Sequence, residues 1–464
     1  MQALLTRARH AVAAESAGPL YRRLAEALAP ALAEEPAEAF PSARALATEL
    51  GLNRATVTAA YRELARRGLI VLGPGRKQGR RPAAGPTGGR ESTEPAPGSV
   101  DLARYAPDAE LLPVGDVFRW LGFGEGEGEG VAQYGDAWGY RPLRSWLAAR
   151  LHGLGIPAAG EDGVLLTGGV QHALDVLLRA LARPGDTILV EDPTYPGLPP
   201  LLALHQVHVV GVPVRGGGID AAEAESLVRR AAPRLAILTP TLHNPSGAVI
   251  PIEQRHALLD LLRRRGTQVV EEFFDPALVS EGTVPPPLAA LDHTVIAVGS
   301  FSKALFPGLR VGWMTGPADL LESVAAVKRA ADLGGSPFLE AAAWTLCRRG
   351  VFDDQLRRLR NAARARLAIV LGALGSAPPG VEWITPRGGF SLLLTLPHGW
   401  SSRAVAARAA ERGVWVLPGP AMSVSGRDDI VRLAYAAVGG NALRAALKEF
   451  VAALAPERGA LPRV

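Results

Sequence analysis

The sequence predicts an α/β protein in two parts, a small basic helical unit followed by a large body built on a mostly parallel sheet. Three observations carry this. From residue 100 onward, short apolar runs of strand length alternate with helical patterns. Residues 1–81 hold 13 Lys/Arg against 7 Asp/Glu, a balance of +6, which leaves −1 for the rest of a chain whose net charge is +5. Between the parts, Gly79 to Ser99 is Gly, Pro, Arg, Ser and Thr with almost no aliphatic content, so it reads as a flexible linker. The expected domains are 1–80 and 100–464, joined by a linker at 81–99.

Composition sets the outer limits. At 464 residues, 48% hydrophobic and 20% charged, the chain is globular and long enough for two or three domains. It has no uninterrupted apolar run of 18 residues and no basic-then-apolar leader, so a soluble cytoplasmic protein without a membrane partner is expected. The single Cys347 excludes an intrachain disulfide and a multi-cysteine metal site, and no metal is expected. A basic head on a near-neutral body points to a polyanion as the partner of the head alone.

In the head, Leu20, Leu24 and Leu28 fall on one face of a helix that begins near Pro19. Ser42 is placed to cap a second helix with Leu46 and Leu50 inward, and Gly51 ends it. Asn53 caps a third, whose Val57, Tyr61 and Leu64 face the core and which Gly68 closes. Two short helices joined by a Gly-containing turn make a helix-turn-helix. The following Leu69 to Leu72, then Gly73 to Gln78, reads as a hairpin wing with a basic tip. On its outer face the third helix presents Arg54, Thr56, Thr58 and Arg62. Arginine can read guanine edges bidentately, and hydroxyls hold phosphates.

In the body, strands are expected at 164–167, 187–190, 207–212, 235–238, 268–270 and 295–298. A helix over 171–181 follows the first of them. After Gly334 the pattern is helical to about Leu374, and a small α+β portion with strands at 389–396 and 414–417 ends the chain. The Gly-Glu repeat from Gly122 to Gly130 reads as a mobile acidic loop without chemistry.

The stretch from Val298 to Gly312 organises the functional reading. It sets Lys303 among apolar and small residues, with Arg310 seven positions on. The chain has four lysines against 46 arginines. A lysine retained here suggests a nucleophilic amine, because arginine cannot form an imine and desolvation drives lysine toward its reactive neutral form. Pyridoxal phosphate needs such an amine, a counter-charge for its ring nitrogen, a platform for the ring and a cradle for its phosphate. Thr167-Gly168-Gly169-Val170-Gln171 lies between a strand and a helix, as a phosphate cradle does. Tyr195 follows a strand on a rigid turn, and Asn244 follows another within His243-Asn244-Pro245-Ser246-Gly247. Taken alone, each of these is an ordinary turn.

Two resemblances join these parts. Leu20-Tyr21-Arg22-Arg23-Leu24-Ala25, Phe40-Pro41-Ser42-Ala43-Arg44-Ala45-Leu46-Ala47, and Asn53-Arg54-Ala55-Thr56-Val57 through Tyr61-Arg62-Glu63-Leu64 resemble the winged-helix DNA-binding domain of GntR-type bacterial regulators. The body's motifs, in this order, resemble fold-type I aminotransferases, with a large sheet domain and a small α+β domain. With the winged helix in front, the chain looks like the MocR subgroup of GntR regulators over about residues 17–450.

The resemblance implies roles by position. Lys303 would form the Schiff base with pyridoxal phosphate, and Arg310 would bind its phosphate with Ser300, Gly169, Val170 and Gln171. Asn244 would hydrogen-bond the ring hydroxyl and Tyr195 would stack. Tyr134 would reach the phosphate of the neighbouring subunit in a homodimer, and Arg432 would clamp the carboxylate of an amino-compound ligand. Arg44, Arg54, Thr56, Thr58 and Arg62, with Arg76 and Lys77 of the wing tip, would contact a double-stranded operator.

The departures fall in one place. Where the family shows a run of the type Glu-Asp-Asp-Tyr-Asp, this chain reads Glu271-Glu272-Phe273-Phe274-Asp275. Glu272 thus stands for the aspartate that pairs with the ring nitrogen, longer by about 1.5 Å in a pairing that tolerates about 0.5 Å. Phe274 lacks the hydroxyl that would bond the ring oxygen. Both changes weaken the electron sink more than covalent attachment. The expectation is therefore a transcriptional regulator that senses pyridoxal phosphate or an amino compound through an aminotransferase-like domain. One alternative is a working aminotransferase with an appended DNA-binding domain, and another is a regulator that has lost the cofactor.

Overall fold

The computed structural model describes residues 8, 19–34, 43–66, 70–71, 79–80, 98–113, 131–158, 160–215 and 217–454. Expectations for Ser42, Gly68, the wing tip with Arg76 and Lys77, residues 81–97 of the linker and the Gly122 to Gly130 repeat fall outside them. Packing divides the chain into two units, Met1–Glu91 and Ser92–Val464.

In the first unit, α1 (Leu20–Glu34), α2 (Ala43–Leu50) and α3 (Arg54–Arg66) precede a short antiparallel pair, β1 (Ile70–Val71) with β2 (Gly79–Arg80). Leu24, Leu28, Leu46, Val57, Tyr61 and Leu64 are fully buried together, the faces that the 3.6-residue period predicts. Gly51 takes the left-handed conformation (φ 64°) that ends α2, and Asn53 caps α3 by accepting from Ala55 N at 2.8 Å.

The second unit is built on an eight-stranded sheet. Its strands are β4 (Val164–Thr167), β5 (Thr187–Asp192), β6 (His208–Arg215), β7 (Gly218–Ile219), β8 (Leu235–Leu238), β9 (Gln268–Glu272), β10 (Ile296–Ser300) and β11 (Gly312–Thr315), in the order β4-β11-β10-β9-β8-β5-β6-β7. The run β10-β9-β8-β5-β6 is parallel, as the continuous apolar runs predict. The sheet is nevertheless mixed. β11, a strand not anticipated, lies antiparallel between β4 and β10, and β7 is an antiparallel edge. Alternate residues divide between two cores: Ile188, Val190, Ile237 and Val298 face α4 (Val170–Leu181) and α6 (Ala318–Asp332), while Leu189, Ala236 and Ala297 join the core of α5 (Ile252–Arg264).

A four-stranded sheet, β12 (Glu382–Trp383), β13 (Leu392–Thr395), β16 (Ile430–Leu433) and β15 (Leu417–Pro418), forms the smaller part. The expected strand at 414–417 is in fact two. β14 (Val414–Trp415) pairs parallel with β3 (Val100–Asp101), whereas β15 pairs with β16, so consecutive residues serve different sheets. The expected strand at 389–396 starts only at Leu392, because Gly388 and Gly389 adopt positive φ (153° and 77°) against the backbone of Leu278 and the Leu242 side chain. No helix among the described residues is long and apolar enough to cross a membrane.

One buried cation ties loops of this unit together. Arg255 of α5 has no exposed surface, and its guanidinium donates to the carbonyls of Ile250 (2.9 Å), Pro286 (2.8 Å) and Pro240 (2.8 Å) and to Thr241 Oγ1 (2.9 Å). Arg255→Ala strands these acceptors and is expected to cost on the order of 3 kcal/mol. All eight tryptophans lie after residue 119, so urea unfolding followed by tryptophan fluorescence reads this unit alone.

Candidate functional site

The parallel strands deliver their C-terminal ends to one edge of the sheet, where open α/β sheets bind ligands. β5 leads to Tyr195, β8 to Asn244, β9 ends at Glu272, β10 ends at Ser300 just before Lys303, and β4 leads through Gly168 and Gly169 into α4. All of these line or border one cavity of about 980 Å³, open mouth included, whose walls hold Val170, Gln171, Tyr195, Asn244, Glu272, Ser300, Lys303 and Arg310. Positions up to 140 residues apart in sequence, from 170 to 310, thus meet as the motifs predict.

At one end is an anion cradle. Gly169 (φ 97°) turns the chain into α4, whose first N–H groups have no helical partner. Arg310, itself left-handed (φ 52°), lies over that turn and donates from Nη2 to Gly168 O at 2.7 Å. A Cβ at Gly169 would stand 3.2 Å from the Arg310 guanidinium, and one at Gly312 would stand 2.7 Å from Gly169 Cα, so both positions require glycine. Gln171 donates to Gly197 O at 3.0 Å, while its Oε1 is buried with no partner among the described residues. Ser300 Oγ accepts from Ser302 N at 2.9 Å.

At the centre is Lys303. Its Nζ donates to the Tyr105 carbonyl and lies 4.8 Å from the Tyr105 ring centroid. Burial lowers its pKa to about 8; Glu272 opposes this, and Arg432, Arg104 and Arg310 reinforce it. Glu272 is buried, and burial raises its pKa to about 7 against the pull of Lys303 and a 3.3 Å bond from Thr239 Oγ1. Beneath it lies a second carboxyl. Glu191 accepts from Thr239 N at 2.9 Å on both oxygens, and burial, with Glu272 nearby, raises it to about 8. His243 sits 3.7 Å from Glu191 between Ser246 Oγ and Pro193 O, and burial lowers it to about 4, so it is neutral. Phe274, buried, turns its ring edge-on to Tyr105 at 6.3 Å.

Next to Asn244, outside the lining of the cavity, lies a buried guanidinium. Arg432 of β16 is 3% exposed. Its Nη1 donates to Asn244 Oδ1 at 3.0 Å, which leaves the Asn244 amide NH₂ to donate elsewhere, and its Nη2 donates to Ala103 O at 2.6 Å. Its Nε has no acceptor among the described residues. Tyr134 stands apart, 90% exposed and outside the lining of its own chain's cavity. Sequence reasoning passes over Tyr105, Thr239 and Glu191, whose partners lie 198 and 48 residues away.

In the first unit, Arg44, Arg54 and Arg62 are exposed, and Thr56 and Thr58 are half-buried. Arg54, Thr58 and Arg62 are four residues apart and form a stripe of α3 that starts beside the buried Val57 and Tyr61 and turns away from them toward Arg62.

Comparison with known proteins agrees with this geometry. The family model for aminotransferase class I and II matches residues 108–450. A 2-aminoadipate transaminase of Thermus thermophilus is 31% identical over 348 residues, 73% of this chain and 86% of that one. The HTH-type transcriptional regulator TauR of Rhodobacter capsulatus is 27% identical over 455 residues, 90% of this chain and 92% of that one, an alignment long enough to reach into both units. Among solved structures, the α-aminoadipate aminotransferase LysN of Thermus thermophilus, complexed with N-(5′-phosphopyridoxyl)-L-leucine, superposes with a TM-score of 0.73 at 29% identity, covering 77% of this chain and 92% of that one.

Proposed function

Because this chain belongs to the aminotransferase class I and II family and resembles HTH-type regulators along nearly its whole length, as the MocR subgroup does, we propose that it is a DNA-binding transcriptional regulator whose second unit senses pyridoxal phosphate or an amino compound. The observation that carries the reading is a half-buried lysine of lowered pKa between an anion cradle and a buried arginine, in a chain whose first unit is a basic helix-turn-helix. The residues fit pyridoxal phosphate: Gly169, Val170, Gln171, Ser300 and Arg310 for the phosphate, Tyr195 for the ring face, Asn244 for the ring oxygen, and Glu272 for the ring nitrogen. When bound, that group supplies an aldehyde for an amine and a ring that withdraws electrons. Arg432, with Asn244 beside it, would orient a ligand carboxylate. Lys303, with a pKa near 8, would hold or give up a proton at Nζ near neutral pH. The protein would act as a cytoplasmic homodimer on a repeated operator, with Tyr134 of each protomer reaching toward the site of the other.

The test is retention of DNA from upstream of the protein's own gene, measured with and without pyridoxal phosphate and a panel of amino acids. Affinity is expected to change at least fivefold with one combination. Affinity that no combination alters would reject sensing.

The transaminase relatives favour a second reading, a working enzyme. The chemistry of Glu272 argues for weak turnover: a carboxyl with a pKa of about 7 is only about half charged at neutral pH, and it must pair with a ring nitrogen. Restoring the family residues in Glu272→Asp with Phe274→Tyr is expected to speed conversion of the bound cofactor by 2-aminoadipate, followed by absorbance in a single turnover, by roughly tenfold, the worth of one unit of ring pKa or about 1.4 kcal/mol. Wild-type turnover at ordinary enzyme rates, without gain in the double variant, would favour the enzyme.

A further inference from the structure

Two donors that a ligand would need are held by the chain itself. Arg432 Nη2 donates to Ala103 O at 2.6 Å, and Lys303 Nζ donates to Tyr105 O. The Tyr105 ring lies under both cations, 5.3 Å from Arg432 Cζ and 4.8 Å from Lys303 Nζ, and packs edge-on against Phe390 at 5.7 Å and Phe274 at 6.3 Å. Apart from these side-chain contacts and Ala106 N donating to Arg104 O at 2.9 Å, the backbone of Ala103 to Tyr105 is held less than what precedes it. Val100 and Asp101 pair with β14, and Leu102 O accepts from Ala434 N at 2.7 Å, two residues beyond Arg432. After that anchor, Ala103 N and Arg104 N rest only on Asp101 Oδ1, at 2.9 and 3.1 Å. The buried Arg432 Nε, without an acceptor among the described residues, marks one more hydrogen bond than the chain supplies there.

We propose that Ala103 to Tyr105 is a displaceable gate: the Ala103 carbonyl competes with a ligand carboxylate for Arg432, and the Tyr105 ring decides which amino-acid side chains enter. This rests on the sensing reading and names its ligand class, an amino carboxylate whose carboxylate takes Arg432 beside the aromatic ring that Arg432 shares with Lys303. A carboxylate offers Arg432 two charged acceptors for one neutral carbonyl, and charge-assisted bonds are about twice as strong. The exchange favours the ligand provided that the tyrosine can swing away from the space the ligand's side chain takes. The gate also begins two residues after Val100 and Asp101, where the chain from the first unit enters the sheet.

The test uses the full chain and hydrogen exchange of the peptide spanning residues 100–108. Saturating N-(5′-phosphopyridoxyl)-L-leucine is expected to speed exchange at Ala103 and Arg104 at least fivefold, whereas pyridoxal phosphate, which lacks the carboxylate, changes it less than twofold. Tyr105→Ala is expected to raise affinity for the leucine adduct relative to the glycine adduct at least tenfold, and Tyr105→Phe, which keeps the ring, leaves that ratio at the wild-type value. Tight adduct binding with unchanged exchange, or an unchanged ratio in Tyr105→Ala, overturns the gate and leaves sensing intact. Failure of every protein to bind either adduct, with pyridoxal phosphate still bound, overturns the amino-compound reading and the gate with it.

Discussion

Lys303→Ala is expected to remove covalent capture of pyridoxal phosphate altogether. After borohydride reduction, mass spectrometry of the wild-type chain should show one added pyridoxyl group and the variant none, a loss of at least a hundredfold in labelled protein. The argument is one of proton inventory. Only the neutral amine attacks an aldehyde, and burial brings the Lys303 pKa down from 10.5 to about 8. At pH 7 about a tenth of that amine is neutral, against less than about a thousandth for an unperturbed lysine. The rate of capture should therefore rise about tenfold per pH unit up to pH 8 and flatten above it. Removing charge in Glu272→Gln takes away the one influence that raises this pKa, so the plateau should begin at lower pH. Lys328 provides the control. It is fully buried, but it pairs with Asp332 at 3.2 Å within α6, so Lys328→Ala should label as the wild type does. Equal labelling of wild type and Lys303→Ala would remove Lys303 from the site.

What the chain discloses before folding is what local physics encodes. The buried faces of α1 to α3 follow from a 3.6-residue period, and the parallel strands from continuous apolar runs between turns. Glycine-rich junctions after a strand announce the cradle at Gly169, because the turn there leaves no room for a side chain. Direction and partnership are not local. Nothing in Gly312-Trp313-Met314-Thr315 tells that β11 runs antiparallel between two strands that themselves run the same way. Val414 to Leu417 reads as one apolar run, yet its halves pair with residues some 300 positions earlier and some 15 later. Tyr105 sits in a stretch without motif, and its contact with Lys303 spans 198 residues. The missed residues thus share a trait: each acts through partners distant in sequence, which composition and spacing do not encode.

Arg54→Ala combined with Arg62→Ala is expected to weaken operator binding at least thirtyfold, measured by gel retardation of the full chain on DNA upstream of its own gene. Both side chains are exposed on α3 and outside its buried core, so their removal is expected to leave the fold intact. A bidentate arginine on a guanine contributes about 1–3 kcal/mol, and two of them about 2–6 kcal/mol. Removing two of the charges in a segment whose balance is +6 also flattens the dependence of affinity on salt. These effects separate two roles for the same arginines. If they read bases, affinity for the operator falls much further than affinity for unrelated DNA of equal length. If they only neutralise phosphates, both fall by the same factor and the salt slope alone records the loss. Arg44, exposed on α2, is expected to behave in the second way, and Arg44→Ala should lower both affinities together. The visible spectrum of the bound cofactor should stay unchanged in both variants, because these residues belong to the other unit. Wild-type affinity in the double variant would move the DNA-reading surface off α3.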